Sequence, residues 1–144
     1  MAYEKPVPGG THTFPATTGL KQYQFVNFAS TSGNNRIARP TTNGVNIGVL
    51  ISSGATGSTG KAGSTDSGSV QTVQLFGIAK VIAGTTTIAA GGFVKAATDG
   101  LAAAATGPTS TSYLGGVALE AVASTSTSAQ VISVLLNPTI GLPA

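Results

Sequence analysis

The stretch Val70-Gln71-Thr72-Val73-Gln74-Leu75-Phe76-Gly77-Ile78-Ala79-Lys80-Val81-Ile82 decides the fold. Its first half alternates polar with apolar side chains and favours β-branched residues, the signature of a half-buried strand. Gly77 interrupts the pattern and Ile78–Ile82 resumes it, which predicts a bent strand turning a corner. Outward from this stretch the same grammar recurs. Gln22-Tyr23-Gln24-Phe25 alternates polar with aromatic, and Phe28 continues it after a phase slip at Val26 that a bulge would absorb. Arg36–Arg39 is a short strand stopped by Pro40, and Val45–Ile51 reads as an inner strand. Phe93–Ala97 and Leu101–Ala104 flank Thr98-Asp99-Gly100, a hairpin signal because Asp and Gly tolerate positive φ. Tyr113–Ala121 and Gln130–Leu136 complete the set. The Ala102–Ala105 run is the one helical alternative, but it is too short to nucleate alone and Gly107-Pro108 follows. About nine short strands predict an all-β fold, a small barrel or a sandwich.

Between the strands, composition marks the organisation. Residues 1–20 carry Pro6, Pro8, Pro15, Gly9 and Gly10, with Tyr3, Val7 and Phe14 as apolar contacts. They read as an extended N-terminal arm lying on another surface. Residues 21–137 form the single β domain. Within it, 52–69 holds only small and polar side chains with one lysine, so an exposed Ser/Gly/Thr-rich loop is expected. Residues 138–144, punctuated by Pro138, Gly141 and Pro143, form a C-terminal tail. Two strand pairs echo each other: Ile47–Leu50 with Gln71–Phe76, and Gly116–Leu119 with Gln130–Leu135. They suggest two halves of one barrel, although any β protein rhymes with itself.

The chain has 144 residues, of which only 8% are charged, against about a quarter in ordinary soluble domains. Its surface is kept wet by hydroxyls instead: Ser and Thr number 35. The core is thin and built of small side chains, so support from a partner subunit is expected. Cysteine is absent, which excludes a disulfide framework, a thiolate metal site and a Cys nucleophile. No apolar run approaches the ~18 residues of a membrane helix, and the N-terminus lacks the apolar core of a signal peptide. A net charge of +3 comes from seven cations spread along the chain.

Catalysis needs proton-transferring or nucleophilic groups within reach of one another. The inventory here is nearly empty. His12 is the single histidine, and it stands in the arm beside no acid. Of the four acids, Glu4 belongs to the arm, Asp66 to the loop and Asp99 to its turn, which leaves Glu120 in a strand. No spacing suggests a catalytic, cofactor or metal site. Ala55-Thr56-Gly57-Ser58-Thr59-Gly60-Lys61-Ala62 nearly matches a phosphate loop, but Ala62 has no hydroxyl for Mg²⁺ and no apolar helix follows. Arg36 and Arg39 are the only close pair of cations, and three-residue spacing on a strand points them to opposite faces. Tyr23, Phe25 and Phe28 could stack bases, but aromatics in a small barrel are usually core. The reading is a protein without enzymatic activity that binds no nucleic acid and no membrane.

The order of motifs carries a resemblance. Leu20–Val26, Asn46–Leu50, Val70–Val73 leading into Phe76–Val81, Ala90–Val94 with Thr98-Asp99-Gly100, Leu114–Ala121 and Val131–Leu136 follow one another as in a known family. Together they resemble the small capsid decoration (cement) proteins of tailed bacteriophages, once labelled only as a domain of unknown function, DUF2190. The likeness spans about residues 18–136 and leaves out the arm and the 52–69 loop. It implies a β-rich protein on the outer surface of the virion, with the major capsid protein and itself, as a homotrimer, for partners. The capsid-contact candidates are then Tyr3, Val7 and Phe14 in the arm, with Arg36 and Arg39, and the Ser/Gly loop faces solvent. The alternative is a tail, fibre or surface adhesion module that binds a host receptor or glycan, although the aromatic platform of such modules usually includes Trp, which is absent.

Overall fold

A computed structural model describes residues 5–6, 10–29, 35–40, 46–52, 67–97, 99–105, 114–123 and 130–136. Eleven strands run through them: β1 (Lys5–Pro6), β2 (Thr11–Pro15), β3 (Phe25–Phe28), β4 (Ile37–Ala38), β5 (Gly48–Leu50), β6 (Val70–Gln74), β7 (Gly77–Ala83), β8 (Phe93–Ala96), β9 (Ala102–Ala104), β10 (Leu114–Ala118) and β11 (Gln130–Leu136). The fold is all-β, as the sequence predicts, and the Ala-rich run is a strand. Tertiary pairing there overrides the helical preference of alanine.

Gly77 is the corner expected in the decisive stretch. Its φ is +90°, and it separates two sheets. On one side, β6 sits in a five-stranded sheet of order β2-β6-β5-β3-β4; on the other, β7 begins a sheet of order β1-β7-β11-β10-β8-β9. The second sheet closes on itself where Ala83 meets Ala102, so β7, β11, β10, β8 and β9 form a small barrel. Its longest ladder pairs all seven residues of β7 with β11, from Gly77↔Leu136 to Ala83↔Gln130. The two echoing strand pairs are therefore not halves of one barrel, because β5–β6 belongs to the open sheet and β10–β11 to the barrel.

Two cores follow. The barrel interior holds Ala79, Val81, Ala83, Ile88, Val94, Ala102, Ala118, Val122, Ile132, Val134 and Leu136, and it takes in Phe25 and Val49 from the open sheet. Ala16, Leu20, Val26, Ile37, Leu50 and Val73 pack on the far side of that sheet. Strand β3 thus lies between two apolar regions, with Phe25 facing one and Val26 the other. This explains the phase slip expected as a bulge: both faces are buried, so alternation is not required. The aromatic alternation before it is not strand either. Residues 22–23 form a turn, and Tyr23 has a φ of +65°.

Thr11–Pro15 is a strand, residues 18–19 turn, and the segment lies against this chain's own open sheet. Strand β2 pairs with β6 from Thr11↔Gln74 to Pro15↔Val70, and Ala16 and Leu20 are buried. Earlier, Lys5 and Pro6 pair with Ile78 and Gly77 of the barrel. The expected 52–69 loop falls largely outside the described residues, but its two roots are tied together. Gln71 Nε2 donates to Ser69 Oγ (3.1 Å), and Ser52 Oγ donates to Gln71 Oε1 (2.6 Å). The tail at 138–144 lies outside the described residues.

The Asp-Gly hairpin is present, with a longer turn than two residues. Gly100 N–H donates to Ala97 O (2.9 Å) and Ala97 N–H to Leu101 O (2.9 Å), the pattern of a three-residue loop. Gly100 supplies the positive φ (+82°) and Asp99 does not; instead Asp99 Oδ1 accepts from Leu101 N–H (3.1 Å).

Candidate interaction surfaces

The arrangement of β11 explains where exposed apolar surface arises. Gln130-Val131-Ile132-Ser133-Val134-Leu135-Leu136 is apolar at both parities, but a barrel has one inside. Ile132, Val134 and Leu136 face the core, which leaves Val131 and Leu135 outside at 37% and 45% exposure. Directly opposed residues in antiparallel strands share a face. Leu135 stands opposite Val117 and Ile78, and Val117 stands opposite Phe93, itself 45% exposed. An apolar row Phe93–Val117–Leu135–Ile78 therefore crosses four adjacent strands on the outside of the barrel. Leu119 and Val131, also exposed, extend it along the strands. Polar groups within it are turned to local partners: Glu120 Oε2 accepts from Ser133 N–H (3.1 Å), and Lys80 Nζ lies 5.9 Å from the centroid of the Tyr23 ring.

A second apolar corner sits on the open sheet. Phe14 packs edge-on against Phe28, with centroids 5.4 Å apart, and against His12 at 4.8 Å. Phe28 is 47% exposed, whereas Phe14 is half-buried against the second core. His12 and Phe14 occupy alternate positions of β2 and so share its face.

Of the residues selected from the sequence, Tyr3 and Val7 lie outside the described residues. Phe14 is in the corner just described. Arg36 and Arg39 flank β4 and reach different neighbours: Arg36 Nη1 donates to Ser67 Oγ (2.9 Å), and Arg39 Nη2 to Gly19 O (2.8 Å). The outer row was missed. Its signal was present in β11, where consecutive apolar residues need two apolar environments and a barrel wall provides one.

Among the described residues, no group of three or more His, Asp or Glu side chains gathers within reach of one metal ion. His12, exposed on β2, has phenylalanine as its ring neighbour. The phosphate-loop near match at 55–62 lies outside the described residues.

No protein-family model matches the chain. Nor does any curated protein match it. Among solved structures, the chain is similar to the head fiber gp8.5 N base in bacteriophage phi29, with a TM-score of 0.62 and 19% sequence identity. The match covers 90% of this chain and 95% of that one. At this identity the two share a fold, almost end to end.

Proposed function

We propose that this chain is a non-enzymatic structural protein of a phage virion that binds the outside of the capsid and stabilises it by bridging major capsid subunits. The observation that carries this reading is the fold shared with the base of a phage head fiber over nearly the whole of both chains. The motif order that resembles decoration proteins points the same way. The outer row supports it physically, because a contiguous apolar strip on a soluble barrel wall is characteristic of a contact surface. Homotrimers would multiply modest contacts, since each bound leg raises the effective concentration of the next. Arg36, Arg39, Phe14, Tyr3 and Val7 remain candidates for capsid contact beside the row.

Mixing the purified protein with undecorated capsids and pelleting them tests the reading. Cosedimentation that saturates at a fixed ratio to capsid subunits is expected; protein that stays in the supernatant would sink it. Sedimentation equilibrium of the free protein tests the trimer. The likeness to the base of a head fiber favours a second reading, in which the chain is the base of a projecting fibre. Electron microscopy of particles separates the two, because bridging gives density lying across subunit boundaries and a fibre base gives a stalk.

A further inference from the structure

A cleft of about 280 Å³ opens where the open sheet meets the barrel, lined by Lys21, Gln24, Arg39, Ile82, Asp99 and Leu101. Four separate segments build it, and hydrogen bonds fix its walls. Gln24 spans two of them: its Oε1 accepts from Lys21 N–H (2.9 Å), and its Nε2 donates to Asp99 O (3.0 Å). Arg39 is held at both ends. Its carbonyl accepts from the Asn27 amide nitrogen (2.8 Å), with that amide turned so that nitrogen faces it, and its Nη2 donates to Gly19 O. The rest of the guanidinium fork has no partner among the described residues, and neither does the Lys21 ammonium. Ile82 and Leu101 supply the apolar part of the lining. Val131 stands opposite Ile82, which brings the exposed apolar row up to this cleft.

We propose that the cleft binds a carboxylate on a short apolar stem, namely the Glu or Asp side chain of an acidic peptide segment in a protein partner. Arg39 and Lys21 meet the carboxylate, Ile82 and Leu101 take its methylenes, and Val131 seats a flanking apolar side chain. The charge selects the class. Two cations against the Asp99 carboxylate leave a net +1, which a monoanion balances, whereas a dianion such as phosphate would leave the cleft with an uncompensated negative charge beside Asp99. Arg39 is suited to a planar carboxylate because its fork donates two parallel bonds and its position is fixed before binding. Clefts at the junction of two structural units are common ligand sites. The inference does not depend on the virion reading and can fail or hold without it.

The test is a titration of the full chain with acetyl-Val-Glu-Val-amide, followed by two-dimensional ¹H–¹⁵N NMR. Saturable shifts are expected at Gly100, Leu101 and the Arg39 side chain, with at least fivefold weaker binding of the Val-Gln-Val counterpart. Lys21→Gln and Arg39→Gln should each weaken the Glu peptide severalfold. Arg39→Gln also removes the tie to Gly19, so Lys21→Gln, whose ammonium holds nothing among the described residues, is the cleaner variant. Equal shifts with both peptides, or no saturable shift, overturn the proposal. Inorganic phosphate binding more tightly than the Glu peptide overturns the carboxylate class.

Discussion

Gly100 shows how one residue can serve a turn and a core together. Its φ of +82° is required by the hairpin, while its carbonyl accepts from Phe25 N–H (2.7 Å) and so helps to seat the aromatic ring that enters the barrel. A Cβ at this position would lie 2.9 Å from Phe25 O. Gly91 is a useful contrast: its φ is +78°, but nothing lies within 4 Å of where its Cβ would be. Gly91→Ala should therefore cost only backbone strain, about 1–2 kcal/mol. Gly100→Val adds a collision and should cost about 3 kcal/mol or more. Urea denaturation of both variants checks this, and equal midpoints would refute the close-approach argument. The turn at Gly100 was legible from Asp99-Gly100, since its chemistry is local. Its contact with Phe25 was not, because nothing near residue 100 encodes a partner so distant in sequence. Tyr23 was misread for the same reason. Its N–H donates to Leu50 O (2.7 Å) and its carbonyl accepts from Ile82 N–H (2.9 Å), and these two long-range bonds hold it in a left-handed turn within an apparently alternating run.

At the scale of elements, the echo between the two strand pairs has a physical content that the barrel-halves reading missed. Val49 stands opposite Gln74 and Val117 opposite Leu135, each just after a glycine. A Cβ on Gly48 would lie 2.2 Å from Gln74 O and 2.8 Å from Val73 Cγ1; one on Gly116 would lie 2.2 Å from Leu135 O and 2.9 Å from Val134 Cγ1. The same strand-pair geometry is thus used once in each sheet. Gly48→Ala and Gly116→Ala should both destabilise the fold, by about 1–3 kcal/mol each. If thermal unfolding finds one of them neutral, the correspondence is only in the sequence. The corner itself depends on Gln74, which is fully buried at the end of β6. Its Nε2 donates to Phe76 O (3.1 Å) and Ile78 O (2.9 Å) and so ties the open sheet to the start of β7. Gln74→Leu would leave both carbonyls without that donor and should cost about 1–3 kcal/mol, measured by chemical denaturation. Most strand positions were legible because period-two patterning is local, but β1 and β2, in the stretch read as an arm, were not. Sheet membership was not, since β6 and β7 read as one bent strand and only their partners assign them to different sheets.

For the whole molecule, the proposed capsid binding raises the question of which surface would carry it. The sequence directs attention to Arg36 and Arg39, because cations are conspicuous in a chain this poor in charge. The structure gives both of them hydrogen bonds to neighbouring turns and leaves the apolar row Phe93–Val117–Leu135–Ile78 on the outer barrel wall. The two alternatives differ in physics. Contact through exposed cations is screened by salt, whereas contact through apolar area is not. If the row carries capsid binding, raising ionic strength from about 0.05 to 0.5 M should change the affinity little, although exposed ion pairs are strongly screened over that range. Phe93→Ser combined with Leu135→Ser should abolish cosedimentation while moving unfolding stability by about 0.5 kcal/mol or less, the usual range for surface positions. If the row alone carries binding, Arg36→Ser combined with Arg39→Ser should leave cosedimentation intact at both salt concentrations. The opposite pattern, with salt-sensitive binding lost in the arginine variant and kept in the apolar one, would move the contact to the open sheet around β4 and leave the barrel wall to some other role.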